Sequence, residues 1–190
     1  DVLNGGAHPL RLGLTTELPW IKRQQRVTYQ RVGVVDPRSA QDYEANGGVK
    51  GLKRALGMTP SDVVTEVTDS GLRGRGGAGF NMGFKLEACK NEPGNEKYIV
   101  CNADEGDPGA YSDRYLLEQQ PHLVIFGMIM AGYAVGANWG IIYTRAEYPE
   151  SVDIVQNALD QLYDLKILGQ NIMGSDFSYD LKVVKGLGAY

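Results

Sequence analysis

The stretch "PHLVIFGMIMAGYAVGA", Pro121 to Ala137, sets the tightest limit on what this chain can fold into. From Leu123 to Ala137 it carries no charge and is apolar nearly all round. A helix of that kind must be covered on several sides. About 18 or more such residues would be needed to cross a bilayer, so this is a core helix. It is preceded by the short apolar run "KYIVCN" and followed by "WGIIYTRAEY", both strand-like. In "ESVDIVQNALDQLYDLKILG" the residues Val152, Val155, Leu159, Leu162 and Leu165 recur at helical spacing, with Gly169 as the expected stop, and "YDLKVV" supplies a third strand. Strands alternating with long helices predict an α/β fold with a mainly parallel sheet and flanking helices.

Upstream, residues 1–30 read as an extended N-terminal arm, broken at His8-Pro9 and Pro19-Trp20, and residues 31–190 as the α/β domain. "RVTYQRVGVV" alternates and is β-branched, which predicts a further strand. A short helix is expected after Asp36-Pro37, broken at Gly47-Gly48 and resumed. "TPSDVVTEVTDSG" is a stronger one, with Thr59 as cap, Pro60 in the first turn, an apolar face of Val63, Val64 and Val67, and Gly71 as its end. The chain opens on Asp1 and closes on the glycine-rich "VVKGLGAY", which reads as a segment of something longer.

A formal net charge of −4 argues against a broad nucleic-acid or anionic-membrane surface, since either needs a basic excess. Cys89 and Cys101 stand far apart with no Cys-x-x-Cys, so neither a disulfide framework nor an iron–sulfur or zinc set can be built from them. Both read as small buried hydrophobes, and a reducing, cytoplasmic compartment is expected.

"SGLRGRGGAGF", Ser70 to Phe80, places five glycines and two arginines in eleven residues. Gly74, Gly76 and Gly79 fit G-x-G-x-x-G, yet a helix rather than a strand precedes them, so the usual dinucleotide context is missing. No Gly-Lys-Ser/Thr follows, which removes the P-loop. Glycine-rich backbone can still turn its N–H groups toward an anion, beside Arg73, Arg75, Lys85 and the start of the next helix. The competing reading is a glycine-rich bend between packed helices.

"CNADEGDPGAYSDR" begins where a strand ends, which is where open α/β sheets bind ligands. Asn102 offers donors and an acceptor to a heterocycle edge. Asp104, Glu105 and Asp107 fit a solvated acidic turn, a Mg²⁺ or Ca²⁺ site, or acceptors for ribose hydroxyls or a carboxamide.

These two segments together, followed by "EYPE", "NIMG" and "GLGAY", resemble the FMN- and NADH-binding flavoprotein subunit of respiratory complex I, NAD-reducing hydrogenases and NAD-dependent formate dehydrogenases. The resemblance runs from about Arg31 to Tyr190. It implies an FMN site lined by Gly74, Arg75, Gly76, Gly77 and Lys85 from the loop, with Asn102, Asp104, Glu105 and Tyr190 around the flavin. For NAD it implies Phe80 against the adenine, Lys85 nearby and Asp107 toward the nicotinamide. No metal ligand and no proton-transfer catalyst is expected, because the flavin does the chemistry. Where the family reads Pro-Thr-Gly-x-Lys-Trp, Asn81 to Leu86 stand here, and the second adenine-stacking ring of some members falls at Ala88. A [4Fe–4S] cluster is implied only on a C-terminal half that this sequence does not contain. The implied activity is NADH:FMN oxidoreduction that passes single electrons to iron–sulfur subunits, including a thioredoxin-like [2Fe–2S] protein and a formate dehydrogenase or hydrogenase catalytic subunit. "LPWIKRQQR" is most similar to formate dehydrogenase β subunits. The alternatives are a non-catalytic scaffold descended from the same family and, further off, a metal-dependent phosphotransferase using the acidic loop.

Overall fold

A computed structural model of the chain describes residue 8 and residues 11–188. The backbone divides into two compact units, Asp1–Gln30 and Arg31–Tyr190. In the first, a 3₁₀ turn (Thr15–Glu17) leads into one helical turn, α1 (Pro19–Lys22), and Lys22 pairs with Glu17.

The strand expected over residues 26–35, which straddle the division between the units, does not form. That segment is a series of turns, in which the N–H groups of Val34 and Val35 both donate to Arg31 O (3.0 and 3.1 Å). Alternating β-branched residues favour a strand only where another strand can satisfy the backbone, and none pairs with these. Two short helices follow, α2 (Ala40–Ala45) and α3 (Lys50–Leu56), on either side of Gly47-Gly48. Helix α4 (Pro60–Asp69) opens on a reciprocal cap: Thr59 Oγ1 accepts the Asp62 N–H (3.2 Å), and Asp62 Oδ2 accepts the Thr59 N–H (3.4 Å). Two such bonds satisfy donors that a helix start leaves unpaired. Helix α5 (Met82–Asn91) follows the glycine loop.

Three parallel strands, β1 (Tyr98–Ala103), β2 (Trp139–Arg145) and β3 (Asp180–Gly186), lie in the order β1-β2-β3. Val100 pairs with Ile141 and Ile141 with Lys182. The β1–β2 connection holds α6 (Ser112–Gln119) and α7 (Pro121–Val135), and the β2–β3 connection holds α8 (Pro149–Asp164). Helix α7 touches β1 and β2, α8 touches β2 and β3, and the two helices touch each other, so they share one sheet face. Gly140, Ile142 and Thr144 of β2 are buried on that side.

The apolar symmetry of α7 has a direct structural reason: the helix serves two cores. Ile125, Phe126 and Ile129 pack with Leu52, Ile142 and Leu159, whereas Ala134 and Val135 pack with Val63, Val64 and Leu86. Each buried aliphatic side chain contributes roughly 1.5–3 kcal/mol, so polar substitution on either side should be costly. The helix stop expected at Gly169 lies elsewhere. Helix α8 ends at Asp164, because Lys166 turns left-handed (φ 56°) and the Ile167 and Leu168 N–H groups fold back onto Leu162 O. The early turn drives Ile167 and Leu168 into the core, a gain that outweighs the strain of a non-glycine at positive φ.

Candidate functional site

The glycine loop is held at its base and open at its tip. Gly74 N–H donates to Phe80 O (2.8 Å) and Met82 N–H to Leu72 O (2.9 Å), making a short antiparallel clasp between Arg73 and Asn81. Arg73 spends its guanidinium on the same clasp, donating to Gly79 O (3.1 Å). Inside it, Gly77 and Gly79 adopt φ +103° and +60°, which a side chain rarely tolerates. A Cβ built on Gly76, Gly77 or Gly79 meets nothing within 4 Å, so this backbone faces open space into which a ligand can press. Asn81 closes the loop by capping α5, its Oδ1 accepting the Phe84 N–H (2.9 Å).

Opposite the loop, β1 delivers Cys101, Asn102 and Ala103 to the C-terminal end of the sheet. Asn102 Oδ1 accepts the Asp104 N–H (3.1 Å), which fixes the amide at the strand end. Loop and strand end meet in one cavity of about 290 Å³, lined by Arg75 and Gly76, by Cys101, Asn102 and Ala103, and by Asp113, Leu116, Leu117 and Val124. A second, largely apolar cavity of about 440 Å³ continues past Cys101 and Val124 along β1 toward Val67, Met82 and Leu86. A cation, a hydrogen-bonding amide and an apolar wall therefore surround one space. These groups fit FMN: an arginine fork and open glycine backbone for a phosphate, an amide for a ring edge, and Leu116, Leu117 and Val124 for a planar ring system.

Of the residues singled out in the sequence, Arg75, Gly76 and Asn102 line this cavity. Gly74 is part of the clasp, and Gly77 stands at the tip. Phe80 and Lys85 are exposed on the segment that leaves the loop, outside the cavity lining. Asp104 is anchored through its own N–H, and Asp107 is exposed in a turn closed by Ala110 N–H to Asp107 O (3.0 Å). Glu105 has a structural task. It is buried, it accepts the Asp113 N–H (2.6 Å) at the start of α6 and bonds Ser112 Oγ and Tyr148 OH (both 3.3 Å), while Arg145 holds its carbonyl (2.5 Å). Tyr190 lies outside the described residues. Among the described residues, no three His, Cys, Asp or Glu side chains gather so as to hold a metal ion, and no helix is long and apolar enough to cross a membrane.

Sequence reasoning missed α6 altogether, and with it Asp113, Leu116 and Leu117. The signal was present in "SDRYLLEQ", a polar first turn followed by paired leucines, but the long acidic stretch before it masked the helix start. Partial burial raises the Asp113 carboxyl above its ordinary range, and the Glu105 carboxylate adds to this. Burial, with a smaller push from Asp113, moves the Cys101 thiol up to about 11, so it lines the cavity as a neutral apolar group. The unusual residues of the "NMGFKL" stretch have structural roles as well: Asn81 caps α5, Leu86 is buried, and Met82 packs against the second core.

Fold and site together define a class: a parallel α/β domain that sets a clasped glycine loop against a strand end, built to hold a phosphorylated planar cofactor. Residues 67–190 match the family model described as the Nuo51 FMN-binding domain, and the chain belongs to that family. It is 46% identical over 169 residues to the NADP-reducing hydrogenase subunit HndC of Solidesulfovibrio fructosivorans, covering 89% of this chain and 34% of the relative. It is 43% identical over 152 residues to an NADH-quinone oxidoreductase subunit of Aquifex aeolicus, covering 80% of this chain and 35% of that one. The crystal structure of an NAD⁺-reducing [NiFe]-hydrogenase in the H₂-reduced state superposes with a TM-score of 0.67 at 28% identity, over 88% of this chain and 26% of that one. The chain thus spans about a third of the length of these curated relatives.

Proposed function

We propose that this chain forms the flavin- and dinucleotide-binding part of an NADH:FMN oxidoreductase subunit that exchanges electrons with iron–sulfur partners. The observation that carries the reading is the single cavity shared by Arg75 and Gly76 of the loop and Asn102 of the strand end. When bound there, FMN supplies the exchange between a two-electron hydride and single electrons. The chain's own residues bind and orient. Arg75 offers two parallel N–H donors to a phosphate, and the Gly76–Gly77 backbone lets it approach closely. Asn102, fixed by the Asp104 N–H, addresses the polar edge of a heterocycle. Leu116, Leu117 and Val124 exclude water from one side. Phe80 gives the adenine of NADH a stacking surface, Lys85 attracts its phosphates, and Asp107 lies toward the nicotinamide carboxamide. No side chain is required to move a proton.

For the electron partner we favour a formate dehydrogenase catalytic subunit, on the resemblance of "LPWIKRQQR" to formate dehydrogenase β subunits. A hydrogenase partner is the second reading, favoured by the 46% identity to a hydrogenase subunit. The test is the protein purified with its partner subunits. Its absorption spectrum should show flavin and iron–sulfur bands, and NADH should reduce ferricyanide. Asp107→Ala should lower that turnover with FMN content near normal and with no effect of EDTA. A preparation without flavin and without NADH turnover would overturn the reading. Bleaching of the flavin band by formate but not by H₂, or the reverse, decides the partner.

A further inference from the structure

We infer that Asp113 sets the reduction potential of the bound flavin, its carboxylate holding that potential low from the wall of the cavity; this rests on the FMN reading above. Asp113 stands in the first turn of α6. Leu116 and Leu117 follow it by three and four residues, so the three side chains share one helix face, and all three line the cavity. Among the described residues of the lining, Arg75 and Asp113 alone carry charge. A cavity for a phosphorylated ligand gains affinity from cations, and an anion on its wall lowers it. The carboxylate therefore contributes something other than affinity.

Helix stability does not account for it. An acid in a first turn complements the helix dipole and can cap a free N–H, but here Glu105 already fills that place. Its buried carboxylate accepts the Asp113 N–H (2.6 Å), and Tyr148 OH donates to it as well (3.3 Å). From the end of β2, Arg145 donates to the Glu105 carbonyl (2.5 Å). The start of α6 is thus pinned through Glu105, and the Asp113 carboxylate has no hydrogen bond or ion pair among the described residues. A second carboxylate beside Glu105 is unfavourable for the fold: burial first, and then Glu105, raise the Asp113 pKa. The residue still keeps contact with solvent, so it is ionised at neutral pH. Its charge is felt at Cys101, at the end of β1, where it helps to raise the thiol pKa. An unpartnered charge held at a cost on the wall of a cofactor cavity acts on the cofactor. Reduction of FMN adds two electrons and builds negative charge on the ring wherever a proton does not follow. A fixed carboxylate beside the ring makes that reduced form less stable.

The experiment is a potentiometric titration of the flavin absorbance in the protein purified with its partner subunits. Relative to oxidised FMN, Asp113→Asn should hold reduced FMN about tenfold more tightly than the wild type does, a rise in midpoint potential of about 30 mV for a two-electron couple. Asp113→Glu, which keeps the charge, should stay near the wild-type potential. FMN content of Asp113→Asn should be normal or higher, because an anion has left the cavity. An unchanged or lower potential in Asp113→Asn, an equal rise in Asp113→Glu, or loss of FMN from Asp113→Asn would each overturn the role of Asp113. A wild-type protein without flavin would instead overturn the FMN reading, and this inference with it.

Discussion

Replacing Gly83 by alanine should destabilise the domain, although alanine is the better helix former. Gly83 sits in the first turn of α5, buried against α4. A Cβ there would lie 2.5 Å from Thr68 Cα and 2.7 Å from Thr68 N, both backbone atoms that no rotamer change can move. Ordinary contact begins at 3.4 Å, so α5 must retreat from α4 by about 1 Å. Thr68 cannot give way cheaply, because its hydroxyl is already bonded to Val64 O (2.8 Å) inside α4. Overpacking of this kind costs roughly 1–3 kcal/mol and occasionally more. The intrinsic preference for alanine returns at most about 1 kcal/mol. The net effect is a loss on the order of 1–2 kcal/mol, or a fall in Tm of roughly 2–8 °C for a domain of this size. Urea unfolding should show a lower midpoint with an unchanged slope. Gly127, exposed in α7 with nothing within 4 Å of a built Cβ, is the control, and Gly127→Ala should be neutral or stabilising. If Lys85 holds NADH as proposed, the displaced α5 should also raise the KM for NADH, since Lys85 rides on it. Equal or greater stability of Gly83→Ala would refute the close α4–α5 contact.

Stability should also fall with acid through His122, which is 1% exposed and stacked on Tyr43 (centroids 5.2 Å apart). Burial lowers its pKa to about 4, against a smaller opposing pull from Asp36. The unfolded chain binds this proton first, so stability drops as pH falls from about 6.5 to 4, by about 3 kcal/mol in full; urea midpoints at several pH values should show a drop that His122→Phe removes. Cys101 should resist iodoacetamide at pH 8 and react readily only as pH nears its raised pKa of about 11, and added FMN should slow it further, as peptide mass mapping can follow. Lys85→Ala should weaken NADH and FMN binding more at low salt than at high, because part of the loss is Coulombic; equal affinity across ionic strength would remove Lys85 from the site.

The parallel sheet and its helices were legible because burial imposes a period. The Val155–Leu159–Leu162 spacing and the uncharged run from Leu123 to Ala137 have few other physical explanations. The segment of residues 26–35 misled because alternation is a local signal, whereas a strand needs a partner that the sequence cannot name. The C-terminus of α8 was misplaced for the related reason that core packing of Ile167 and Leu168 outweighs the propensity of the glycine beyond them. Residue type and position singled out Arg75, Gly76 and Asn102, and these three line one cavity. The partners of Glu105 were not legible, since nothing local in the sequence shows that its carboxylate receives the N-terminus of the following helix. Asp113 and the leucines of α6 were invisible because only the packing of α6 on α7 and α8 brings them to the same cavity as Arg75 and Asn102.

The central claim is that the glycine loop and the end of β1 close on one flavin. The most direct test is amide hydrogen exchange on the protein purified with its partner subunits, freed of flavin, then measured with and without FMN. Segments 73–80 and 101–106 should gain protection together, at the same FMN concentration, while the interior of α8 stays as it was. Protection of only one segment, or of neither while FMN still binds, would contradict the account.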